Sequence, residues 1–203
     1  MHKARTGLRE RTRRAVQKEI TEAAERLFVE RGYEATTIEH IAEAVGMSRR
    51  TLYRYFPTRE DVVLGKLDLV ADEILAALRS RPADEPVWTS LRHAFDLLIA
   101  HSEAPGKAEF AEPMQRIIFD TPDLFARYLE KLERLQVAAE LALRERADAA
   151  GAPWAVGDPT PRAIVGAAFG CLVAAQIAWI ADGTQGKFAV VVDRAMAAVA
   201  PRD

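Results

Sequence analysis

The sequence predicts an all-α protein in which a small three-helix unit precedes a larger helical domain. Three observations support this fold class. Apolar residues recur at helical spacing along most of the 203 residues, strand-like alternation is nearly absent, and glycine, proline and capping residues divide the chain into helix-length segments. Hydrophobic residues make up 49% and charged residues 29%, which is the balance of a folded globular protein.

The first two helices are marked by their ends. An apolar stripe predicts a helix over about 11–31, and Gly32 supplies its C-terminal stop. A second, short helix begins at Thr36 or one residue later, where the Thr36-x-x-Glu39 spacing has the pattern of a capping box. Gly46 ends this helix.

The later helices follow the same logic. Ser48 caps the third helix, and Pro57 closes it. Thr58 caps a fourth, which we expect to continue to about residue 80. Further apolar periodicity predicts one helix through Trp88, Leu91, Phe95 and Leu98, one starting near Pro113, and others over about 122–149, 161–181 and 187–200.

Charge is divided unevenly along the chain although the net charge is only -2. Residues 1–60 hold 13 Lys and Arg against 9 Asp and Glu, whereas the remainder holds 15 against 21. A basic front and an acidic back indicate that one end of the molecule approaches an anion.

The sequence also indicates the cellular compartment in which the protein acts. Cys171 is the single cysteine, so no intrachain disulfide can form, which fits a reducing compartment. The first residues lack the apolar core of a secretory signal. The apolar stretch 163–180 is short for a membrane span and contains Gln176, so a helix buried in a protein interface is the favoured interpretation. We therefore expect a cytoplasmic protein with no membrane partner.

One motif carries the functional prediction: Gly46-Met-Ser-Arg-Arg-Thr-Leu-Tyr-Arg-Tyr-Phe56. The second and third helices, joined by a three-residue turn, form a helix-turn-helix, whose second helix lies in the DNA major groove. Leu52 and Phe56 face the core, so Arg50 and Arg54 point outward. Arg49, in the first turn, can reach a guanine edge. Arginines at a helix start oppose the helix dipole, and bound DNA would remove that cost.

The alternative interpretation is an exposed helix with solvated arginines, which is common in proteins. The turn glycine, the serine cap and the flanking amphipathic helices favour DNA binding. So does a basic N-terminal arm, which contains Lys3, Arg5, Arg9, Arg11, Arg13 and Arg14.

The segment from Gly32-Tyr-Glu-Ala-Thr-Thr-Ile38 through Ile41-Ala-Glu-Ala-Val-Gly-Met-Ser48 to Asp61 resembles the DNA-binding domain of the TetR family of transcriptional regulators. The resemblance implies a basic arm over 1–10, a DNA-binding domain over 11–58 with its motif at about 37–56, a connecting helix over 59–80 and a regulatory domain over 81–203. The DNA contacts that it implies are Thr37, Ser48, Arg49, Arg50, Thr51, Tyr53, Arg54, Tyr55 and Arg59. The chain departs from the family pattern at Arg54, where many members carry an aromatic residue.

The same resemblance implies a homodimer and an effector. The dimer would form through about residues 160–200 and bind a palindromic operator in double-stranded DNA as a repressor. Small residues would let its helices approach closely, and larger ones would supply apolar area: Gly166, Ala167, Gly170, Ala174 and Ala178, with Phe169, Val173, Ile177 and Ile180. The alternative is an ordinary helix buried in the core of a single chain.

An effector pocket would lie among the helices of residues 85–180. The candidate lining residues, for each of which plain core packing is the alternative, are Trp88, Phe95, Met114, Ile118, Phe125, Tyr128, Phe169 and Trp179. A weaker resemblance of residues 114–133 to regulators of the mycofactocin type suggests a hydrophobic or acyl-coenzyme A-like ligand. Arg92, Arg116 and Arg127 could meet an anionic ligand or be solvated.

Two other classes of protein are alternatives to a transcriptional regulator. An enzyme is disfavoured because the four histidines have no metal-ligand spacing and no Gly-x-Ser-x-Gly elbow or phosphate loop occurs. We therefore predict no catalytic residue, no metal site and no cofactor. A helical adaptor that binds only proteins is the second alternative.

Overall fold

The computed structural model describes residues 2–103, 108–183 and 186–200, with side chains described over 8–100, 110–183 and 186–200. These residues form ten α-helices and no strand. The helices are α1 (His2–Arg31), α2 (Ile38–Ala44), α3 (Arg49–Tyr53), α4 (Arg59–Val63), α5 (Gly65–Ser80), α6 (Val87–Glu103), α7 (Ala108–Asp120), α8 (Pro122–Ala149), α9 (Thr160–Ala181) and α10 (Phe188–Val199).

The predicted helices are present, with differences at several ends. α1 begins at His2 rather than near residue 11, so residues 2–10 of the predicted basic arm belong to the first helix. α7 begins at Ala108 and contains Pro113, which the sequence had placed near its start. The long helix over 122–149 and the last two helices lie within a residue or two of their predicted bounds.

The start of α2 differs from the predicted capping box. Thr37, not Thr36, is the N-cap, and its Oγ1 accepts a bond from the His40 backbone N–H at 3.3 Å. His40 Nδ1 accepts the return bond from the Thr37 N–H, which the sequence had assigned to Glu39. Thr36 is fully buried, and its hydroxyl donates to the carbonyls of Leu27 and Gly32. Thr36 therefore fastens the end of α1 to α2.

The predicted connecting helix over 59–80 is divided at Leu64, between α4 and α5. Gly65 opens α5 in close contact with the DNA-binding unit. A Cβ at this position would lie 2.7 Å from both Phe56 Cε1 and Thr21 Cγ2. Glycine therefore lets the start of α5 pack directly against the core formed by α1 and the end of the helix-turn-helix.

We predict that Gly65→Ala lowers the free energy of unfolding by about 1–2 kcal/mol, because overpacking a core costs roughly 1–3 kcal/mol and the gain in helix propensity is smaller. Denaturant titration measures the change. Phe56→Leu shortens the side chain that the new methyl meets, so the double variant should be less destabilised than the sum of the two single changes. A Gly65→Ala protein as stable as the wild type would contradict the close contact.

Ion pairs also join the DNA-binding unit to the larger domain. Asp61 is in the first turn of α4, and its Oδ1 lies 3.7 Å from both Arg127 Nη2 and Lys131 Nζ of α8. Lys131 Nζ also lies 2.6 Å from Asp68 Oδ2 on α5. The Lys131 side chain is only 10% exposed, so its charge is held between the two carboxylates. α4, α5 and α8 are therefore linked at one point.

The larger domain packs α6–α10 around one apolar core. α9 and α10 pack along each other, and α8 lies across both α5 and α9. Phe95 of α6 and Phe169 of α9 meet edge to face with centroids 5.1 Å apart. α9 is long and apolar enough to cross a membrane by length and composition, and its Phe169 and Leu172 are buried in this core.

A polar cluster fixes the turn between α5 and α6. The Glu85 carboxylate accepts bonds from Arg81 Nε at 2.7 Å and from the Ser90 hydroxyl at 2.6 Å. Ser90 is completely buried. The bond from Arg81, followed by the bond from Ser90, lowers the pKa of Glu85 from 4.5 to about 2.

This pKa shift predicts how the stability of the turn depends on pH. Because the folded-state pKa is lowered, the Glu85 contribution is present above pH 4.5 and is lost as pH falls towards about 2. The melting-temperature difference between wild type and Glu85→Gln should therefore be largest above pH 4.5 and shrink below it. A difference that stays constant down to pH 2 would contradict the assigned shift.

Candidate nucleic-acid interface

The helix-turn-helix has a buried and an exposed side, as predicted. Leu52 and Phe56 are 0% and 2% exposed. Arg50 and Arg54 are exposed on the opposite side. α3 ends at Tyr53, earlier than predicted, and Arg54 follows as its C-cap in helical geometry. The backbone N–H of Phe56 still bonds to the Leu52 carbonyl at 3.0 Å, so the helical turn continues to the core residue.

The turn before α3 is built by local sequence. Gly46 adopts a φ of +64°, a left-handed conformation that favours glycine. Ser48 caps α3: its Oγ accepts from the Thr51 N–H at 3.1 Å and lies 2.8 Å from the Thr51 hydroxyl. Ser48 is exposed and Thr51 half-buried, so these hydroxyls lie beside the arginines.

The three arginines of α3 and its cap differ in their partners. Arg49 Nη1 lies 2.5 Å from Glu39 Oε1 on α2, and its guanidinium lies 5.8 Å from the Tyr53 ring centroid. The side chains of Arg50 and Arg54 make no hydrogen bond or ion pair within the described part of the chain. The guanidinium groups of Arg50 and Arg54 are therefore available to an anion. Arg49 could bind an anion by giving up its ion pair with Glu39.

Arg59 occupies a different place from the other predicted contacts. Its Nη1 donates to the carbonyls of Tyr33 and Thr36 at 3.1 and 3.2 Å, and its guanidinium lies 3.9 Å from the Tyr33 ring centroid. Burial and a bond to Glu60 raise the pKa of Tyr33 to about 12, so the ring stays neutral. Arg59 therefore holds the segment between α1 and α2 to the start of α4.

The remaining predicted contacts surround α3. Thr37 is exposed but its hydroxyl caps α2, and Tyr53 is 40% exposed. Tyr55 is half-buried against the core. Among the N-terminal basic residues, Arg14 pairs with Asp72 of α5, and the side chains of Lys3 and Arg5 lie outside those described.

Comparison with known proteins decides the family. The model of the bacterial regulatory proteins of the tetR family matches residues 20–65, which span the C-terminal part of α1 and all of α2–α4. TcmR of Streptomyces glaucescens, an HTH-type transcriptional regulator, is 35% identical over 149 residues, covering 70% of this chain and 66% of TcmR. The chain belongs to the TetR family.

Solved structures of two transcriptional regulators share the fold over most of the chain. FadR of Thermus thermophilus, a transcriptional repressor in complex with lauroyl-CoA, has a TM-score of 0.58 and 21% identity, covering 92% of this chain and 96% of FadR. FadR of Bacillus subtilis, in complex with stearoyl-CoA, has a TM-score of 0.58 and 17% identity, covering 89% and 95%. At these identities the likeness shows the fold alone.

The curated relatives are named as regulators of transcription and not as enzymes. The chain spans about half to two thirds of the length of such relatives.

A cavity of about 120 Å³ is lined by residues of α1 and α4–α9. Three predicted lining residues surround it: Met114, Ile118 and Tyr128. The other five predicted residues do not line it. Trp88 and Phe125 pack half-buried against the core, and Phe95, Phe169 and Trp179 are buried within it.

Polar lining residues of this cavity were missed by sequence reasoning. Gln115, Gln176, Glu25 and Lys66 line it together with Tyr128. A sequence signal was present for Gln176, which interrupts an otherwise apolar stretch. Gln115 stands beside Arg116 and has no such signal, and Glu25 and Lys66 come from α1 and α5, so only the fold brings these three residues there. The cavity therefore lies where the larger helical domain meets the DNA-binding unit.

One exposed stripe of α9 consists mainly of small, apolar residues. Gly170, Ala174, Ile177 and Ala178 are exposed, with Ile177 at 50%. A Cβ on Gly170 would meet nothing within 4 Å. Two residues that were expected on this surface are buried instead. Phe169 and Ile180 are 1% and 8% exposed because they face the chain's own core.

Proposed function

We propose that this chain is a DNA-binding transcriptional repressor that acts in the cytoplasm as a homodimer and leaves its operator when a small molecule binds. The observation that carries the proposal is the pair of exposed guanidinium groups, Arg50 and Arg54, on a rigidly capped helix of a TetR-type domain. A helix-turn-helix in this position places its second helix in the major groove.

The proposed contacts divide by geometry. Arg50 and Arg54 have free donors for base edges or phosphates, and Arg49 can exchange Glu39 for DNA. Ser48, Thr51, Tyr53 and Tyr55 would contact phosphates and fix the register, and Thr37 would lie at the edge. Arg59 would stabilise the DNA-binding unit and not contact DNA, because its Nη1 donates to the backbone carbonyls of Tyr33 and Thr36.

The dimer is proposed to form through α9 and α10, within residues 160–200. The exposed stripe of small residues on α9 allows two helices to approach closely, and Ile177 and Val190, 50% and 52% exposed, supply apolar area beside it. Two-fold symmetry would then present two copies of α3 to half-sites of a palindromic operator.

The cavity is the proposed effector site. α4 and the start of α5 supply Val63, Leu64, Leu67 and Val70 to its lining, and the adjoining Gly65 touches Phe56 of the helix-turn-helix. A ligand that enlarges the cavity would displace the start of α5 and, with it, α3. The shift requires that the ligand bind more tightly to the conformation that does not fit DNA.

Selection from genomic fragments tests this proposal. Purified protein is incubated with sheared double-stranded DNA, and the bound fragments are sequenced. We expect enrichment of one palindromic sequence whose half-sites lie about one helical turn or more apart. Bound fragments without a common sequence, or none at all, would contradict a repressor function and leave the protein-binding adaptor as the better explanation.

A further inference from the structure

The three arginines of α3 and its cap differ in how firmly their side chains are held. Arg49 is held by two groups, because its Nη1 lies 2.5 Å from Glu39 Oε1 and its guanidinium lies 5.8 Å from the centroid of the Tyr53 ring. The side chains of Arg50 and Arg54 have no such partner within the described part of the chain. Arg49 is therefore the arginine of this face whose orientation is fixed before DNA binds, which lowers the entropy lost on binding.

The contact with Glu39 leaves part of the Arg49 guanidinium free. An arginine has five N–H donors in one plane, and the bond to Glu39 uses Nη1. No described residue accepts a hydrogen bond from Arg49 Nε or Nη2. Two neighbouring donors of this kind can bond the O6 and N7 atoms of a guanine at the same time. Arg49 can therefore bind a guanine while it keeps its ion pair with Glu39.

Glu39 places a negative charge beside the arginines of α3. It lies in the first turn of α2, and its side chain is 55% exposed. The hydrogen bond from its own backbone N–H, together with those from Arg49 and Thr37, lowers the pKa of Glu39, so it is ionised at neutral pH. A phosphate that approached Arg49 would be repelled by this carboxylate, whereas the edge of a base carries no net charge. The ion pair therefore favours a base over a phosphate as the partner of Arg49.

We propose that Glu39 is a specificity-determining residue, which aims Arg49 at a guanine of the operator and opposes contacts of Arg49 with the phosphates of other DNA. The inference rests on the proposed function, because it concerns how α3 recognises an operator. The alternative is an ordinary surface ion pair, which contributes little to stability and has no influence on base preference.

Glu39→Gln tests the role, because it keeps the size of the side chain and removes its charge. Fluorescence anisotropy measures binding to the selected operator, to its single-base variants and to a fragment of unrelated sequence. We expect discrimination to fall about tenfold at one G·C pair of each half-site. Binding to the unrelated fragment should tighten several-fold. Its plot of log affinity against log salt should be steeper by roughly 0.9, the effect of one added phosphate contact.

Glu43→Gln is the matched control. Glu43 is also an exposed glutamate of α2, but it has no side-chain partner among the described residues. This variant removes the same charge and should leave base discrimination unchanged. An equal loss of discrimination in both variants would show that only net charge matters, and it would overturn the proposal.

A second control asks whether Glu39 acts through Arg49. In an Arg49→Ala background, Glu39→Gln should have no further effect on discrimination at that G·C pair, so the two changes should not be additive. A full effect of Glu39→Gln without Arg49 would reject the positioning role. A uniform loss of affinity together with a lowered melting temperature would instead make Glu39 a structural residue of α2.

The wild-type protein in the same titrations separates this inference from the proposed function. If it selects an operator and Glu39→Gln discriminates equally well, the role of Glu39 is rejected and the repressor function stands. If the wild type binds no DNA, the repressor function itself is rejected, and the role of Glu39 with it.

Discussion

Replacing Ala174 by arginine should convert the protein from a dimer to a monomer and lower its operator affinity by about 100-fold or more. Ala174 is exposed at the centre of the small-residue stripe on α9. An arginine there is harmless in a monomer but would be buried without a partner when two α9 helices meet. Losing the second recognition helix removes the gain of about 10²–10⁴ that linking two binding sites provides.

Analytical ultracentrifugation and operator titration measure the two effects. Ala76→Arg is the matched control, because Ala76 is also an exposed alanine within a helix but lies on α5. The control should remain a dimer with wild-type affinity. An Ala174→Arg protein that still sediments as a dimer would show that the two subunits meet elsewhere.

Replacing Arg50 by alanine should weaken operator binding by about 1–3 kcal/mol and relax the base preference at one position of each half-site, if the side chain bonds a guanine. The melting temperature should hardly change, because Arg50 is exposed and has no partner among the described residues. Fluorescence anisotropy with a set of single-base operator variants measures both effects. Weakening that is equal for all sequences would assign Arg50 to a phosphate instead.

Two other arginines provide the comparison. Arg134 of α8 is 67% exposed and far along the chain from the recognition helix, so Arg134→Ala should leave DNA binding unchanged. Arg59→Ala should lower the melting temperature, because it removes two bonds to carbonyls and the contact with the Tyr33 ring. An arginine of the DNA interface should therefore change DNA affinity without changing the melting temperature, whereas Arg59, which supports the fold, should change the melting temperature.

Local sequence was sufficient where each element is determined by its own residues. Gly46, Ser48 and the Leu52–Phe56 spacing predicted the turn, the cap and the buried side of α3. The apolar period from residue 122 to 149 predicted the longest helix of the regulatory domain, and the structure confirms those bounds. In these places helix periodicity, capping and turn chemistry all favour the same structure.

Tertiary contacts decided the rest. In the sequence Arg59 cannot be distinguished from the exposed arginines of the recognition helix. In the fold, however, the ring and the carbonyl of Tyr33 lie close enough to bind its guanidinium. Apolar periodicity runs across Leu64 without interruption, so the division between α4 and α5 could not be seen. Aromatic residues at helical spacing identify a core but not a cavity, because an empty space depends on side chains from several helices.

The dependence of DNA affinity on salt tests the central claim most directly, namely that the exposed arginines of α3 meet a DNA duplex. Titration of the selected operator at salt concentrations from 50 to 200 mM should give an affinity that falls by about 10³-fold or more, as expected for a protein that neutralises six or more phosphates. A protein that binds no double-stranded fragment even at 50 mM salt, whatever its sequence, would contradict the account.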